Sequence, residues 1–156
     1  LVVERPGHEP DLALVDVAVS RERFVGARAL WRHEALCELF VTFADPGAVG
    51  LSSVAGQLAP MRRGTGRGLH VRLARDRAQA ECVVRVALAP GLEPGEPVAV
   101  AADAGTLALD GEREIERRGD DAATVRLGAG PLRIDVDAVM RHTAVENATQ
   151  MLPPAS

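Results

Sequence analysis

The sequence contains no lysine, so all 18 of its basic side chains are arginine. Without a lysine, the chain has no amine side chain to form a Schiff base or to act as a general base. The net charge of −4 argues against nucleic-acid binding, which needs a basic surplus clustered on one face. An acidic chain is also a poor match to an anionic membrane surface. We therefore expect neither a nucleic acid nor a membrane as a partner.

Cysteine is scarce as well, since Cys37 and Cys82 are the two thiols of the chain. They lack the short spacing of metal ligands, and two isolated cysteines are typical of reduced, buried side chains in a cytoplasmic protein. A disulfide between them is the alternative. The histidines are scattered singly, which predicts no metal site; they are His8, His33, His70 and His142.

Long apolar runs are absent too. The best candidate for a membrane span is interrupted by Asp103 and Asp110, and residues 1–10 do not show the basic-then-apolar pattern of a signal peptide. Nearly half of the 156 residues are nevertheless hydrophobic, which is enough to form the core of one domain. We expect a cytoplasmic globular chain.

Short apolar segments separated by glycine and proline turn signals fill most of the sequence, and they predict antiparallel strands. These segments cover residues 12–19, 24–30, 40–43, 69–73, 81–89, 98–101, 106–109 and 124–127. Helical spacing predicts a short helix over residues 31–39 and a second helix capped by Asp135 or Asp137. The expected fold is a two-layer antiparallel β-sandwich-like domain over residues 11–150, with one or two flanking helices, a lead-in at 1–10 and a tail at 151–156.

Two neighbouring segments are rich in small residues. Residues 49–58 contain Ser52, Ser53 and two glycines, which permit close approach of the backbone, but they do not form the G-x-S-x-G elbow of a serine hydrolase. Residues 61–68, MRRGTGRG, lack the ending of a phosphate-binding P-loop. They form either a solvated hairpin tip or a loop that holds an anion through its arginines and exposed amides.

Two acidic positions have both a structural and a functional interpretation. Asp110-Gly111-Glu112 is either a type I′ hairpin turn with solvent-facing carboxylates or the mouth of a cleft in which a general base could lie. Asp16 interrupts an apolar strand. It either faces solvent by alternation or is buried, where it must find a ligand or an arginine such as Arg28.

Taken in order, three stretches resemble the C-terminal domain of the ATP-NAD kinase family, and most closely its branch of AcoX-like proteins. They are ALVDVAVSRERFVGARALW at 13–31, DPGAVGLSSVAGQLAP at 45–60 and GTLALDGEREIERRGDDAATVRL at 105–127. With GPLRIDV at 130–136, the resemblance covers roughly residues 11–145. The order and spacing of the stretches carry it, because none of them is specific alone.

The resemblance implies a nucleotide-binding and oligomerisation domain. Kinases of this family phosphorylate the adenosine ribose of NAD with ATP or polyphosphate, using a GGDGT-type loop on an N-terminal α/β domain. This sequence contains no such loop. The resemblance therefore implies that the chain is not catalytic alone and needs no cofactor itself, with NAD, or ATP and Mg²⁺, belonging to a full-length parent. The implied partners are a nucleotide, the missing N-terminal domain and further copies of the chain.

By the same resemblance the ligand-binding residues are Asp16, Asp45, Ser52, Ser53 and Asp110. The sequence departs from the family where Val15-Asp16 stands in place of Asn-Glu and where a Thr-Pro-Thr-Gly-Ser segment is shortened to residues 46–50. Diacylglycerol-type lipid kinases have a similar plan, and their hairpin resembles Asp-Gly-Glu, which would make Glu112 a catalytic base toward a lipid hydroxyl. A structural domain that assembles without binding any ligand is the third hypothesis.

Overall fold

The computed structural model describes residues 1–22, 35–62, 65–75, 84–88, 91–130 and 135–151. Within these ranges lie two helices, α1 (Leu51–Leu58) and α2 (Val136–Met151). The strands are β1 (Val2–Glu4), β2 (Asp11–Leu12), β3 (Asp16–Ser20), β4 (Leu36–Val41), β5 (Gly68–Arg75), β6 (Val84–Leu88), β7 (Gly91–Leu92), β8 (Val98–Ala99), β9 (Gly105–Leu109), β10 (Arg113–Arg117) and β11 (Thr124–Arg126).

The strands form two antiparallel sheets. The small sheet has the order β2-β1-β11-β8, and the large sheet has the order β10-β9-β3-β4-β5-β6, with β7 paired to β5. Each pairing between named strands is antiparallel. The predicted two-layer, mainly β fold is confirmed.

The alternation of side chains along β3 divides the core into two layers. Val17 and Val19 pack with Phe40 of β4 in a cluster that also contains Val3 and Val125 of the small sheet. Ala18, between them, points to the opposite face and belongs to a second cluster. Since successive residues of a strand face opposite sides, the small sheet covers one face of the large sheet and α1 covers the other.

The small-residue segment forms α1, and one of its glycines explains how the helix packs. A Cβ atom on Gly56 would lie 2.4 Å from the carbonyl carbon of Asp45 and from the nitrogen of Pro46. Only a residue without a side chain permits this approach. The close backbone approach predicted for residues 49–58 is therefore confirmed. It allows α1 to pack directly on the backbone of Asp45 and Pro46.

The helix predicted over residues 31–39 is wrong for its described part. Residues 31–34 lie outside the described ranges, and β4 runs from Leu36 to Val41 with both of its faces buried. A strand buried on both sides has no polar alternation, so the spacing of Leu36 and Leu39 imitated one face of a helix. Glu38, expected off that face, is buried between the sheets.

Most of the other predicted strands are confirmed with small shifts of their ends. The segment at 12–19 is divided into β2 and β3 by residues 13–15, and the strand predicted at 24–30 lies outside the described residues. β1 was not predicted; it lies in the stretch interpreted as a lead-in, and Val3 is fully buried there. Asp135 is the cap of α2, because its Oδ1 accepts a hydrogen bond from Ala138 N at 2.9 Å. Neither described helix has the length and apolar character needed to cross a bilayer.

Candidate functional site

The Asp-Gly hairpin adopts the predicted turn. Asp110 and Gly111 have positive φ angles of 54° and 68°, as a type I′ turn requires at both central positions. Glu112 N donates to Leu109 O at 3.0 Å and closes the turn between β9 and β10. The carboxylate of Glu112 is exposed at the tip.

The carboxylate of Asp110 points inward, so the solvent-facing interpretation of this residue is wrong. Its Oδ2 accepts a hydrogen bond from Leu14 N at 2.7 Å. Its Oδ1 accepts from Val15 N at 2.7 Å and from Asp16 N at 3.1 Å. Three backbone amides satisfy most of the hydrogen-bonding capacity of this carboxylate. The turn thereby holds the irregular residues 13–15 that divide the first predicted strand.

Asp16 lies beside this turn, at the first position of β3, and is only 8% exposed. Its register partner is Val41, and its alternation with Val17 places it on the face of the large sheet that α1 covers. Burial raises the pKa of Asp16, the charge of Asp110 raises it further, and the resulting pKa is about 6. Of its two interpretations, solvent exposure is wrong. Arg28 lies outside the described residues, and no ion pair joins Asp16 to any described arginine.

Thr42 connects residues 14 and 15 to the segment before α1. Thr42 N donates to Val15 O at 3.0 Å, and its hydroxyl lies 3.3 Å from the carbonyl oxygens of both Leu14 and Val15. The chain then enters residues 44–50. Thr42 was missed by the sequence analysis, since a threonine after a buried strand carries no signal of its own.

The serine-rich segment has its own hydrogen bonds. Asp45 Oδ1 accepts from Gly47 N at 2.8 Å, and Asp45 N donates to Ser52 O at 3.2 Å. The hydroxyl of Ser53 donates to Pro46 O at 3.1 Å. The hydroxyl of Ser52 is buried and has no hydrogen-bond partner in the described part of the chain. Polar atoms in that state are uncommon in proteins and mark places where a group is missing or strain is stored.

Antiparallel register brings these residues to one end of the large sheet. The start of β3, the end of β4 and the end of β9 are neighbours there, because Asp16 pairs with Val41 and Val17 pairs with Leu109. The Asp-Gly turn and the segment leading to α1 therefore border the same end of the sheet. The backbone amide of Asp16 donates to the carboxylate of Asp110. We call this group of Asp16, Thr42 and Asp110 the acidic corner.

The arginine-rich loop is described only in part, since residues 63 and 64 lie outside the described ranges. Arg67 forms an ion pair with Glu93, which neutralises one of its charges. The role of the loop at residues 61–68 in binding an anion stays a prediction.

Glu38 is a second buried acid, and its position in the sequence did not reveal it. Glu38 Oε1 accepts hydrogen bonds from Ala101 N at 2.7 Å and Ala102 N at 3.0 Å, and its Oε2 lies 2.9 Å from His70 Nε2. Burial alone would raise the pKa of Glu38, but the hydrogen bonds from His70 and the two amides lower it below its usual value. The His70 ring stacks on Phe40 at 4.1 Å. This pair lies between the sheets, where it joins them, and is closed to a ligand.

Cys37 is buried, and its thiol lies 3.3 Å from Ala35 O; Cys82 lies outside the described residues, as does His33. No cluster of three or more His, Cys, Asp or Glu side chains that could hold a metal is found in the described ranges.

Comparison with known proteins gives a consistent result. The profile of a family described as the acetoin catabolism protein X C-terminal domain matches residues 1–130. The chain is 42% identical, over an alignment of 160 residues, to Acetoin catabolism protein X of Cupriavidus necator. That alignment covers 94% of this chain and 44% of the relative, so the chain spans less than half the length of that protein. No solved structure gives a significant match.

Proposed function

The chain belongs to the acetoin catabolism protein X family as its C-terminal domain, and from that premise we propose that it forms one wall of a nucleotide-binding site in a longer, NAD-kinase-like protein. The carboxylate of Asp16, buried without an ion-pairing arginine among the described residues, is the observation that carries this proposal. The domain alone is proposed to be inactive as a phosphotransferase. The name of the relative ties that protein to acetoin catabolism, and we propose that the parent of this domain serves the same process.

The two carboxylates of the acidic corner have different tasks in this proposal. Asp110 accepts three backbone hydrogen bonds and so has little capacity left for a ligand. Asp16 is held by its strand and by the amide contact to Asp110, and its acceptor oxygens remain available for donors such as the hydroxyls of a ribose. Burial strengthens such a hydrogen bond because water competes less well for the carboxylate. Asp45, Ser52 and Ser53 border the same end of the sheet and are proposed to contact the rest of the nucleotide.

Isothermal titration with NAD, NADP and ATP tests this proposal. It is carried out on the 156-residue chain and on the protein at its full encoded length. We expect heat with at least one nucleotide, and Asp16→Asn should weaken that binding at least tenfold because a charged hydrogen bond is lost, a change worth about 1.4 kcal/mol. Asp120→Asn removes an exposed carboxylate and should leave the affinity unchanged. Silent titrations with all three nucleotides, or equal binding by Asp16→Asn, would refute the proposal. Silent titrations together with a dimer in light scattering would favour an assembly domain.

The exposed position of Glu112 favours one alternative function. A carboxylate at the tip of a rigid type I′ turn is placed to meet a substrate held by a second domain. In this alternative the parent protein phosphorylates a lipid alcohol, with Glu112 as the base. Glu112→Gln in the full-length protein would then abolish lipid phosphorylation, whereas Glu116→Gln, on the exposed edge strand β10, would not.

A further inference from the structure

One residue of the hairpin turn holds the backbone on both sides of Asp16. The Oδ1 atom of Asp110 accepts a hydrogen bond from Asp16 N at 3.1 Å, and Asp110 N donates to Asp16 O at 3.0 Å. The two amides before Asp16, those of Leu14 and Val15, donate to the same carboxylate at 2.7 Å each. Because the backbone conformation decides which rotamers a side chain can adopt, these hydrogen bonds also limit the directions that the Asp16 carboxylate can take.

The turn itself does not require an aspartate at position 110. A type I′ turn needs a positive φ at both central residues, and asparagine or glycine meets this requirement at the first of them as well as aspartate does. Three amide donors set a stricter condition, because an ionised carboxylate offers acceptors alone, whereas the amide group of asparagine would place a donor against a donor. The contacts with residues 14–16, and not the turn, therefore explain why position 110 is an aspartate.

The other elements around Asp16 contribute no charge. On the β4 side, the hydroxyl of Thr42 is engaged with the carbonyl oxygens of residues 14 and 15. Helix α1, which covers this face of the sheet, contains no charged side chain. Among the described residues, Asp110 is thus the charged neighbour that acts on Asp16, and its charge adds to the burial that raises the pKa of Asp16.

We propose that Asp110 is a positioning residue for the ligand site: it does not touch the ligand, and it presents the Asp16 carboxylate to the donors of the ligand by holding the backbone around it. This role rests on the proposed function, since it presupposes that Asp16 binds a ligand. It gives Asp110 two separate effects. Its hydrogen bonds determine the affinity when Asp16 is ionised, and its negative charge determines the pH at which Asp16 takes up a proton and the affinity falls.

Two NMR measurements on the full-length protein without ligand test the positioning itself, using Asp110→Gly and Asp110→Asn, which both suit the turn. Hydrogen exchange of the amides of residues 14–16 should become at least tenfold faster in both variants, relative to the amides of β4, which report global opening. The couplings between the Hα and Hβ protons of Asp16 should indicate one rotamer in the unchanged protein and averaging over rotamers in Asp110→Gly. Asp120→Asn, which alters an exposed carboxylate, should change neither measurement. Unchanged exchange and a single rotamer in Asp110→Gly would overturn the proposal, whatever the nucleotides do.

Titration with NAD, NADP and ATP between pH 5 and pH 8 tests the link to the ligand. At pH 8, where Asp16 is ionised in each protein, we expect Asp110→Asn to weaken binding at least fivefold. The affinity should begin to fall below about pH 6 in the unchanged protein, and at a lower pH in Asp110→Asn, because the neighbouring charge is gone. Weaker binding by the same factor at each pH would show a loss of folded protein alone and would overturn the proposal. Silence of all three nucleotides with the unchanged protein would instead refute the proposed function, and with it the ligand role of Asp110.

Discussion

Two buried acids, Glu38 and Asp16, lie in the same sheet, but their surroundings shift their pKa values in opposite directions. Glu38 has two amide donors and a histidine within 3.0 Å, and the resulting hydrogen bonds lower its pKa. The pKa of Asp16 is raised to about 6 by its burial and, to a smaller extent, by the charge of Asp110 beside it. The first arrangement stabilises the charged form and the second destabilises it. We therefore interpret Glu38 as a structural group, whereas the proposal that Asp16 binds a ligand rests on its burial without such donors.

The largest expected effect is the loss of Glu38. Glu38→Leu leaves the partly buried amides of Ala101 and Ala102 and the buried ring of His70 without their acceptor. Breaking a buried charged network in this way costs about 3–5 kcal/mol. Urea unfolding monitored by circular dichroism should show this decrease in the free energy of unfolding. Glu116→Leu, on the exposed edge, should change it by less than about 0.5 kcal/mol. A small effect of Glu38→Leu would mean that the pair does not join the two sheets.

Asp16→Asn is expected to have the opposite sign. At neutral pH the folded state holds an unfavourable negative charge at Asp16, and an asparagine removes it. A displacement of the pKa from 3.8 to about 6 corresponds to roughly 3 kcal/mol as an upper bound, so we expect a gain of about 1–3 kcal/mol in the free energy of unfolding at pH 7. A loss of stability would show that Asp16 has a favourable partner, and the comparison with Glu38 would fail.

The pH dependence sharpens the same contrast. The pKa of Asp16 is higher in the folded than in the unfolded chain, so the folded state binds more protons between pH 3.8 and about 6. Stability due to Asp16 is therefore complete below pH 3.8 and decreases as the pH rises to about 6. The pH dependence due to Glu38 has the opposite sign. Because folding lowers the pKa of Glu38, its contribution to stability is complete above pH 4.5, the usual pKa of a glutamate, and is lost as the pH falls. The free energy of unfolding is measured against pH for the unchanged protein and for Asp16→Asn and Glu38→Gln. The difference between the unchanged protein and each variant, plotted against pH, should have slopes of opposite sign for the two variants.

Asp110→Asn is expected to have an intermediate effect. Asparagine tolerates the positive φ of this position, but its amide group replaces one acceptor of the three backbone hydrogen bonds. We expect a loss of about 1–2 kcal/mol. The pKa of Asp16 should also decrease, because the neighbouring charge is gone. Carboxyl-carbon NMR titration of Asp16 measures this decrease, and Asp120→Asn serves as the control that leaves it unchanged.

The comparison of the two acids also shows where sequence reasoning succeeded. The Asp-Gly turn depends on local chemistry, since few residues adopt two successive positive φ angles, and so it was predicted correctly. Asp16 was recognised because a carboxylate interrupted an apolar run. Glu38 was misinterpreted because β4 is buried on both faces and carries no alternation. Its partners, His70 and the amides at 101 and 102, are distant in sequence, and only the pairing of the sheets brings them together.

The smallest expected effect on stability belongs to Glu112. Its carboxylate is exposed at the tip of the turn, and the bond that closes the turn uses its backbone nitrogen, which a substitution retains. Glu112→Gln should therefore change the free energy of unfolding by less than about 0.5 kcal/mol. This neutrality makes the variant a clean probe of function, because any loss of activity in the full-length protein cannot be ascribed to unfolding. Thermal melting monitored by circular dichroism checks the stability. A decrease of several degrees in the melting temperature would show that the side chain has a structural partner. Glu112 would then be interpreted, like Glu38, as a structural group.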